Sequence, residues 1–408
     1  MRDGVTRDAA VFYHQHGSSP CLATLISAEG IWLTDAVGRR FMDLHGNTAH
    51  HLGHAHPRVI ADLKSQLDSM AFSPRRYAND TATELAENLT ARFLGGRSRL
   101  LLMPGGSEAI ETAIRLARIA TGRSGILAFE GSYHGHGMGS LGLSSAYLDS
   151  RLGSNLPDIH HISGYWDVQA GGADASLAAL EERLERHAGT IACFVAEPMR
   201  SNCHVPPSGF WQQAVGLCRE NGVKLIFDEI PSGLGKTGRF FCHEHFGVSP
   251  DVVVLGKALG GGVLPVAAVL GDDNINLAPE LSVGHYTHEK SPMLARAALT
   301  TLQIIDDEKL VDRATILGNF LEQRVGELAE AGMPMRVRGL GLLRAIEIDD
   351  KRRGAETFAA DLMAFGLSCV AKDPCSIGFS PPLTITPDEI DDALARIGAC
   401  INAQRLKT

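Results

Sequence analysis

Positive charge is in short supply in this 408-residue chain, with 38 Lys and Arg against 47 Asp and Glu for a net charge of −9. That deficit disfavours a nucleic-acid or anionic-membrane partner, since phosphate binding on that scale needs a basic face that releases counterions. Any anion the protein binds is expected to be small and local. Long apolar runs are missing too: stretches such as Val252 to Leu255 and Leu264 to Leu270 fall far short of the roughly 20 residues of a membrane helix, so no bilayer span is expected. The opening MRDGVTRDAAVFYHQHG lacks the uninterrupted apolar core of a signal peptide, which points to an unprocessed, cytoplasmic protein. No Cys-x-x-Cys pair occurs. The cysteines at 21, 193, 203, 218, 242, 369, 375 and 400 read as buried thiols, not disulfides or metal ligands. Low-complexity tracts, internal repeats and long charge runs are also lacking.

What is abundant is glycine, 44 residues gathered in clusters such as Gly105-Gly106, Gly131 to Gly139 and Gly260-Gly261-Gly262. Glycine lets backbone approach a ligand closely. The middle of the chain alternates apolar runs with helix-period segments. Ser124 to Phe129, Ile191 to Ala196, Val223 to Phe227 and Val252 to Leu255 read as buried strands. Ser107 to Arg118 sets Ile110, Ala113, Ile114 and Ala117 on one helix face, and Phe210 to Asn221 stops at Gly222. Such alternation implies an α/β fold with a mostly parallel sheet whose ligands bind at the strands' carboxyl ends.

After about residue 293 the pattern becomes α+β: helices near 293–305 and 308–331, a strand-like MRVRGLGLLRAIEI, a helix near 355–366, a short strand near 376–380 and a last helix from Asp388 towards Gln404. The Leu22 to Leu44 region looks like a β-hairpin that completes this unit. The expected organisation is a segment 1–50 joining a small domain, a large domain 51–292, and the small domain 293–408.

Chemistry concentrates at strand ends. Lys257 follows Val252 to Leu255 and is flanked by glycines, which suits a covalent amine. Asp228 ends the preceding strand, and a buried carboxylate needs a cationic partner. A protonated pyridine nitrogen is one such partner; an ion pair between Asp228 and Lys257 is the plainer alternative. Pro104-Gly105-Gly106-Ser107-Glu108 opens a helix whose free N–H groups suit a phosphate. Together these describe a phosphorylated aldehyde cofactor held at three points.

Here the sequence resembles the class III aminotransferases, fold type I enzymes that use pyridoxal 5′-phosphate. FMDLHGNTAHHLGHAHPRV, PGGSEAIETAIRLAR, GSYHGH, VAEP, LIFDEIPSGLGKTGRF, PDVVVLGKALGGG and VRGLGLLRAIEI follow the family's order across nearly the whole chain. The resemblance implies that Lys257 bonds the cofactor and later shuttles protons, with Asp228 on the ring nitrogen. Tyr133 would stack on the ring within a loop that also brings His134, Ile230 would pack the opposite face, and Gly106 and Ser107 would bind the phosphate. Thr287 would join them from a neighbouring subunit, which makes the active unit at least a homodimer, with pairing into tetramers left open. Glu197 matches an active-site Glu.

Four departures lie on the substrate side. Family members acting on α-amino acids carry an Arg three residues before Pro-Pro-Leu, where this chain has Gly378, so a planar carboxylate clamp is missing. Pro231 replaces a Gln, Pro104-Gly105 replace Asn-Ser, and Thr287-His288-Glu289-Lys290-Ser291-Pro292 brings polar groups where the family has small or apolar ones. His50, His51, Arg76, Arg200, His288 and Lys290 supply cationic or hydrogen-bonding groups to the substrate side, although each alone is equally a solvated or backbone-satisfying side chain. As a set they suggest a small-molecule amine substrate with a tetrahedral anion. That pattern is similar to the lyase branch of the family. The reaction it implies is loss of the β-hydroxyl from an amino alcohol phosphonate, yielding ammonia and phosphonoacetaldehyde without a keto acid. An ω-transaminase, an ethanolamine-phosphate phospho-lyase and a catalytically silent relative are the competing readings. The Cys242-His243-Glu244-His245 run falls on a family segment, and no metal is expected.

Overall fold

Strand Ile191–Ala196 is buried at every position, because alternate residues face two separate apolar layers. Cys193 and Val195 pack with Ile110, Ala113, Ile114 and Ala117. Phe194 and Ala196 pack on the other face with Leu180, Leu184, Trp211 and Ala214. A strand covered by helices on both sides has no polar face, and its sequence is accordingly apolar throughout. The structure, a computed structural model, describes residues 4–15, 18, 21–152, 158–275, 277–348 and 354–405; the outermost residues of both end segments, 1–3 and 406–408, lie outside these.

Seven strands form the central sheet in the spatial order Ser98–Met103, Ala267–Asp272, Val252–Leu255, Lys224–Asp228, Ile191–Ala196, Gly125–Phe129 and Ile159–Ile162. Only Ala267–Asp272 runs against the others, being antiparallel to both neighbours. The remaining pairs of this sheet are parallel. Consequently Met103, Phe129, Ala196, Asp228 and Leu255 all end at the same edge.

The N-terminal region is more than the hairpin expected of it. Leu25–Glu29, Trp32–Asp35 and Arg40–Asp43 form an antiparallel meander, and Leu367–Ser368 adds to it in parallel through Leu367 opposite Met42 and Ser368 opposite Asp43. Residues from the two ends of the chain thus share one sheet. A further sheet orders Met335–Leu340, Leu343–Ile348, Ser376–Phe379 and Ala371–Asp373. The MRVRGLGLLRAIEI run is a tight hairpin, not one strand. Gly341 makes the turn at φ +51°, and a Cβ there would lie 2.4 Å from the carbonyl carbon of Thr237, so only glycine fits. Helices Pro292–Asp307 and Leu310–Glu330 complete the expected pair.

Five of the eight cysteines are buried and none is bridged, whereas Cys375 is exposed, contrary to the expectation of buried thiols. No helix among the described residues is long and apolar enough to cross a membrane.

Candidate active site

Five strand ends converge on one cavity of ≈ 170 Å³ lined by Gly106, Ser107, Tyr133, His134, Gly135, Glu197, Ser201, Asp228, Ile230, Pro231 and Lys257. Larger cavities lie elsewhere. One of ≈ 460 Å³ sits beside Arg338, whose guanidinium is already paired with Glu347 and Asp373, so size alone does not locate the chemistry.

Lys257 leaves its strand through an extended Gly256 and adopts φ +46°. A lysine in the left-handed region is a strained residue, of the kind that clusters at functional sites. Its side chain keeps accessible surface because it lines the cavity. Enclosure by protein nevertheless lowers its amine below the ordinary lysine value, against the opposing pull of Asp228 and Glu197. That eases loss of its proton relative to a solvated lysine.

Asp228 is buried at the end of its strand with both oxygens engaged. The Ile230 N–H donates to Oδ1 at 3.1 Å, and Oδ2 lies 2.8 Å from His134 Nδ1. The expected alternative, an ion pair with Lys257, does not form: no such bridge exists among the described residues. His134 is fixed by its own N–H, which donates to Ser144 Oγ at 2.7 Å. Its Nε2 is buried without a partner.

Helix Gly106–Thr121 begins beside this pair without a side-chain cap, which leaves its first N–H groups free for an anion. Ser107 Oγ accepts from the His136 N–H at 3.1 Å and so ties the Tyr133 loop to the helix start. Gly135 permits that approach: at φ +122°, an added Cβ would lie 2.4 Å from Ser107 Oγ. Tyr133 is partly exposed, edge-on to Tyr147 at 4.9 Å between ring centres. An uncapped helix start, an enclosed amine and a pinned carboxylate fit a phosphorylated pyridine aldehyde point by point.

Glu197 follows its strand into the same cavity. Burial pushes its carboxyl up, while Arg200 pulls it down. The Ser201 N–H donates to Oε1 at 3.0 Å, and Arg200 Nη1 lies 3.4 Å from Oε2.

The cation set expected on the substrate side is not brought together within the chain. Arg200 is spent on Glu197 and the Gly131 carbonyl and stacks 4.7 Å over Trp166, and it does not line the cavity. His50 is buried with Nε2 3.0 Å from the Asp43 carbonyl oxygen, and His51 is buried against the Gly233 carbonyl oxygen at 3.3 Å. Burial lowers His50 to about 4 and His51 well below its ordinary value, so both are neutral structural groups. Arg76, Thr287, His288 and Lys290 are exposed. His288 meets Phe72 edge-on at 5.4 Å, the Lys290 carbonyl accepts from Asn79 Nδ2 at 2.9 Å, and none of the four lines the Lys257 cavity of its own chain.

In the Cys242 to His245 run, His243 Nδ1 lies 2.7 Å from Glu229 Oε1 and His245 Nε2 lies 3.0 Å from the Thr237 carbonyl oxygen, so these rings are engaged in packing. A different trio, Asp43, His50 and His54, brings ligand-type atoms within 4.8 Å of one another. His54 Nε2 is 2.9 Å from Asp43 Oδ2, and this trio is an internal hydrogen-bond network. Sequence reasoning passed over Ser201 and Gly135 as site residues. Gly135 lay within the quoted GSYHGH run, whereas Ser201 carried no signal beyond its nearness to Glu197.

A family model described as "Aminotransferase class-III" matches residues 13–401. The chain is 34% identical over 95% of its length to (R)-1-hydroxy-2-aminoethylphosphonate ammonia-lyase of Vibrio splendidus (strain 12B01), covering 88% of that protein. It is 35% identical over 93% of its length to ornithine aminotransferase of Staphylococcus carnosus (strain TM300), covering 94% of that one. Among solved structures, the ornithine aminotransferase of Toxoplasma gondii, described with partial occupancy of PLP at its active site, superposes with a TM-score of 0.87 at 27% identity, over 98% of this chain and 94% of that one. The chain belongs to the class III aminotransferases, fold type I enzymes whose cofactor is pyridoxal 5′-phosphate.

Proposed function

We propose that this enzyme is a lyase that removes the β-hydroxyl from an amino alcohol phosphonate and releases ammonia and phosphonoacetaldehyde. The observation that carries the reading is Gly378: with no side chain there, the substrate side has no guanidinium to clamp an α-carboxylate at two points, while Lys257 and Asp228 are intact. The likeness to the Vibrio splendidus ammonia-lyase supports it.

When bound, the cofactor supplies an aldehyde that bonds an amine and a ring that accepts electrons when its nitrogen is protonated. In our reading Gly106 and Ser107 hold its phosphate at the helix start, and Tyr133 and Ile230 sandwich its ring. His134 and the Ile230 N–H hold the Asp228 carboxylate in place, and Asp228 holds the proton on the ring nitrogen. Lys257, once displaced by the substrate amine, takes a proton from the carbon that bears this amine. The electron pair left there forms the carbon–carbon double bond as hydroxide leaves the neighbouring carbon, taking up a proton to become water. The released enamine then takes up water and divides into ammonia and phosphonoacetaldehyde. No keto acid is consumed.

The exposure of Thr287 and its neighbours supports a homodimer in which Thr287 reaches the partner's phosphate site. Exposed Phe72 and Tyr77 beside them suit a subunit interface.

The deciding measurement is ammonia release from racemic 1-hydroxy-2-aminoethylphosphonate by cofactor-loaded protein, with ethanolamine phosphate alongside and no keto acid. Multi-turnover ammonia is expected, and the relative rates rank phosphonate against phosphate ester. A single bleaching of the visible absorption, with turnover only after pyruvate or 2-oxoglutarate is added, would establish the second reading. That reading is a transaminase for a terminal amine, favoured by the 35% identity to an ornithine aminotransferase.

A further inference from the structure

Gly378 stands where relatives acting on α-amino acids carry an arginine, and an adjacent strand covers the face it leaves bare. An ideal Cβ at 378 would lie 2.7 Å from Lys372 Cε and 3.5 Å from Cγ, so the aliphatic stem of Lys372 lies across the face that a side chain at 378 would occupy. The register explains how. Ala371 pairs with Ile377 and Asp373 with Ser376, and the ladder is irregular between them, at Lys372 itself. An irregularity of this kind re-aims a side chain.

Near it lie two buried polar atoms without a partner. Ser380 stands two residues after Gly378, on the same side of an extended segment, and its Oγ is buried without a partner. The Ser380 N–H donates to the Leu44 carbonyl at 2.8 Å and so docks this segment beside His45, whose Nδ1 is likewise buried and unpartnered. Buried polar atoms are nearly always satisfied, so two orphans beside one lysine point to a missing polar ligand.

Lys372 has no carboxylate partner among the described residues; the adjacent Asp373 is taken by Arg338. Its charge is felt by Lys257, Lys236, His45 and Cys203, in each case as a cation nearby. Carboxylates act on the same neighbours, Asp228 and Glu197 on Lys257 and Asp43 on His45, but none is bonded to Lys372 among the described residues, so its ammonium is open to an incoming anion.

We propose that Lys372, together with His45 and Ser380, forms the subsite that binds the tetrahedral oxyanion of the substrate. The proposal rests on the lyase reading for the identity of the anion, but not for its existence. A single ammonium with flanking hydroxyl and imidazole groups suits the spread oxygens of a phosphonate or phosphate. A planar two-point clamp suits a carboxylate.

The test is binding of methylphosphonate, inorganic phosphate and acetate to the holoenzyme by calorimetry, with wild type, Lys372→Met, Lys372→Arg and Gly378→Ala. Methionine keeps an unbranched stem over Gly378, so its variant removes the charge with little repacking. Lys372→Met is expected to weaken methylphosphonate at least about tenfold and to raise KM by a similar factor with kcat changed far less. Lys372→Arg retains most of the affinity, and Gly378→Ala weakens binding without altering charge, because its methyl displaces the lysine. Methylphosphonate affinity unchanged in Lys372→Met overturns the subsite, whatever reaction the wild type performs. A wild type that needs a keto acid overturns the lyase reading alone, and loss of phosphonate binding in Lys372→Met would still establish the subsite.

Discussion

Asp228 and His134 form a buried pair in which Oδ2 stands 2.8 Å from Nδ1, while the other imidazole nitrogen meets nothing. Because the Ile230 N–H pins Oδ1, the carboxylate cannot rotate, and its remaining lone pairs face the cavity in one orientation. In our proposed mechanism His134 is therefore a positioning residue for Asp228, which would hold the ring proton. Replacing it with Phe should lower kcat/KM by about tenfold, the worth of one hydrogen bond to a charged group. Asp228→Asn should cost about a hundredfold or more, since it removes the charge itself. Equal losses in the two variants, read by steady-state kinetics on cofactor-saturated protein, would contradict the division of roles.

Arg200 was expected to grip substrate, and the structure gives it a different partner. Burial raises the Glu197 carboxyl and Arg200 opposes that rise. In Arg200→Met the carboxyl therefore titrates higher, and the acid limb of the kcat/KM profile should move to higher pH, with Arg200→Lys restoring part of the shift. An acid limb that stays in place with a raised KM would return Arg200 to the substrate.

Gly135→Ala should be costly where Gly106→Ala is mild. At 135 the new methyl meets the Ser107 hydroxyl at 2.4 Å and its Cα at 3.0 Å, on a backbone at φ +122°. The Tyr133 loop must then move off the helix start, for about 1–3 kcal/mol of stability and a weaker hold on the cofactor. At 106 the methyl meets only Ile230 Cδ1, the end of a side chain that can turn away. Thermal unfolding with and without added cofactor separates the two.

Lys236 is fully buried, its ammonium donating to the Pro381 carbonyl, and burial lowers its pKa to about 7. Between pH 7 and the ordinary lysine value the unfolded chain binds the proton that the folded chain has released. Stability from this group therefore rises with pH across that window and is lost as pH falls through 7. Above pH 9 buried thiols such as Cys193, raised to about 12, act in the opposite sense, because unfolding lets them ionise. The melting temperature of the wild type should climb from pH 6.5 to 9 relative to that of Lys236→Met. Parallel curves would show that Lys236 is neutral throughout.

Thr287 is exposed and does not line the Lys257 cavity of its own chain, so the proposal of a site shared between subunits makes a clear prediction. Mixing Lys257→Ala subunits with subunits carrying a bulky replacement at Thr287 should recover activity, up to about a quarter of wild type, because half of the mixed population holds one intact site. No recovery from two inactive parents, with mixed dimers confirmed by mass, would remove Thr287 from the partner's site.

The chemistry that could be read along the chain is the chemistry that adjoins an apolar strand. Lys257, Asp228 and Glu197 follow their strands directly, and Gly106 and Ser107 open a helix with a clear apolar face, so a local pattern locates them at one sheet edge. His50, His51 and Arg200 could not be placed in the same way. A histidine or arginine in a loop has the same sequence signature whether it faces a substrate or a backbone carbonyl, and here each had a carbonyl or carboxylate already in reach.

The sequence by itself determined the alternation of strands and helices, the place of Lys257 just after an apolar strand and the absence of an arginine at 378, since period, composition and strand ends are local properties. Which side chain lies against that position was settled only by tertiary structure. Lys372 lies on a strand of three residues with no periodic signal, and it matters because strand pairing sets it against a glycine that offers no side chain of its own. A long side chain can be named from sequence, but its target is fixed by the strand that pairs beside it.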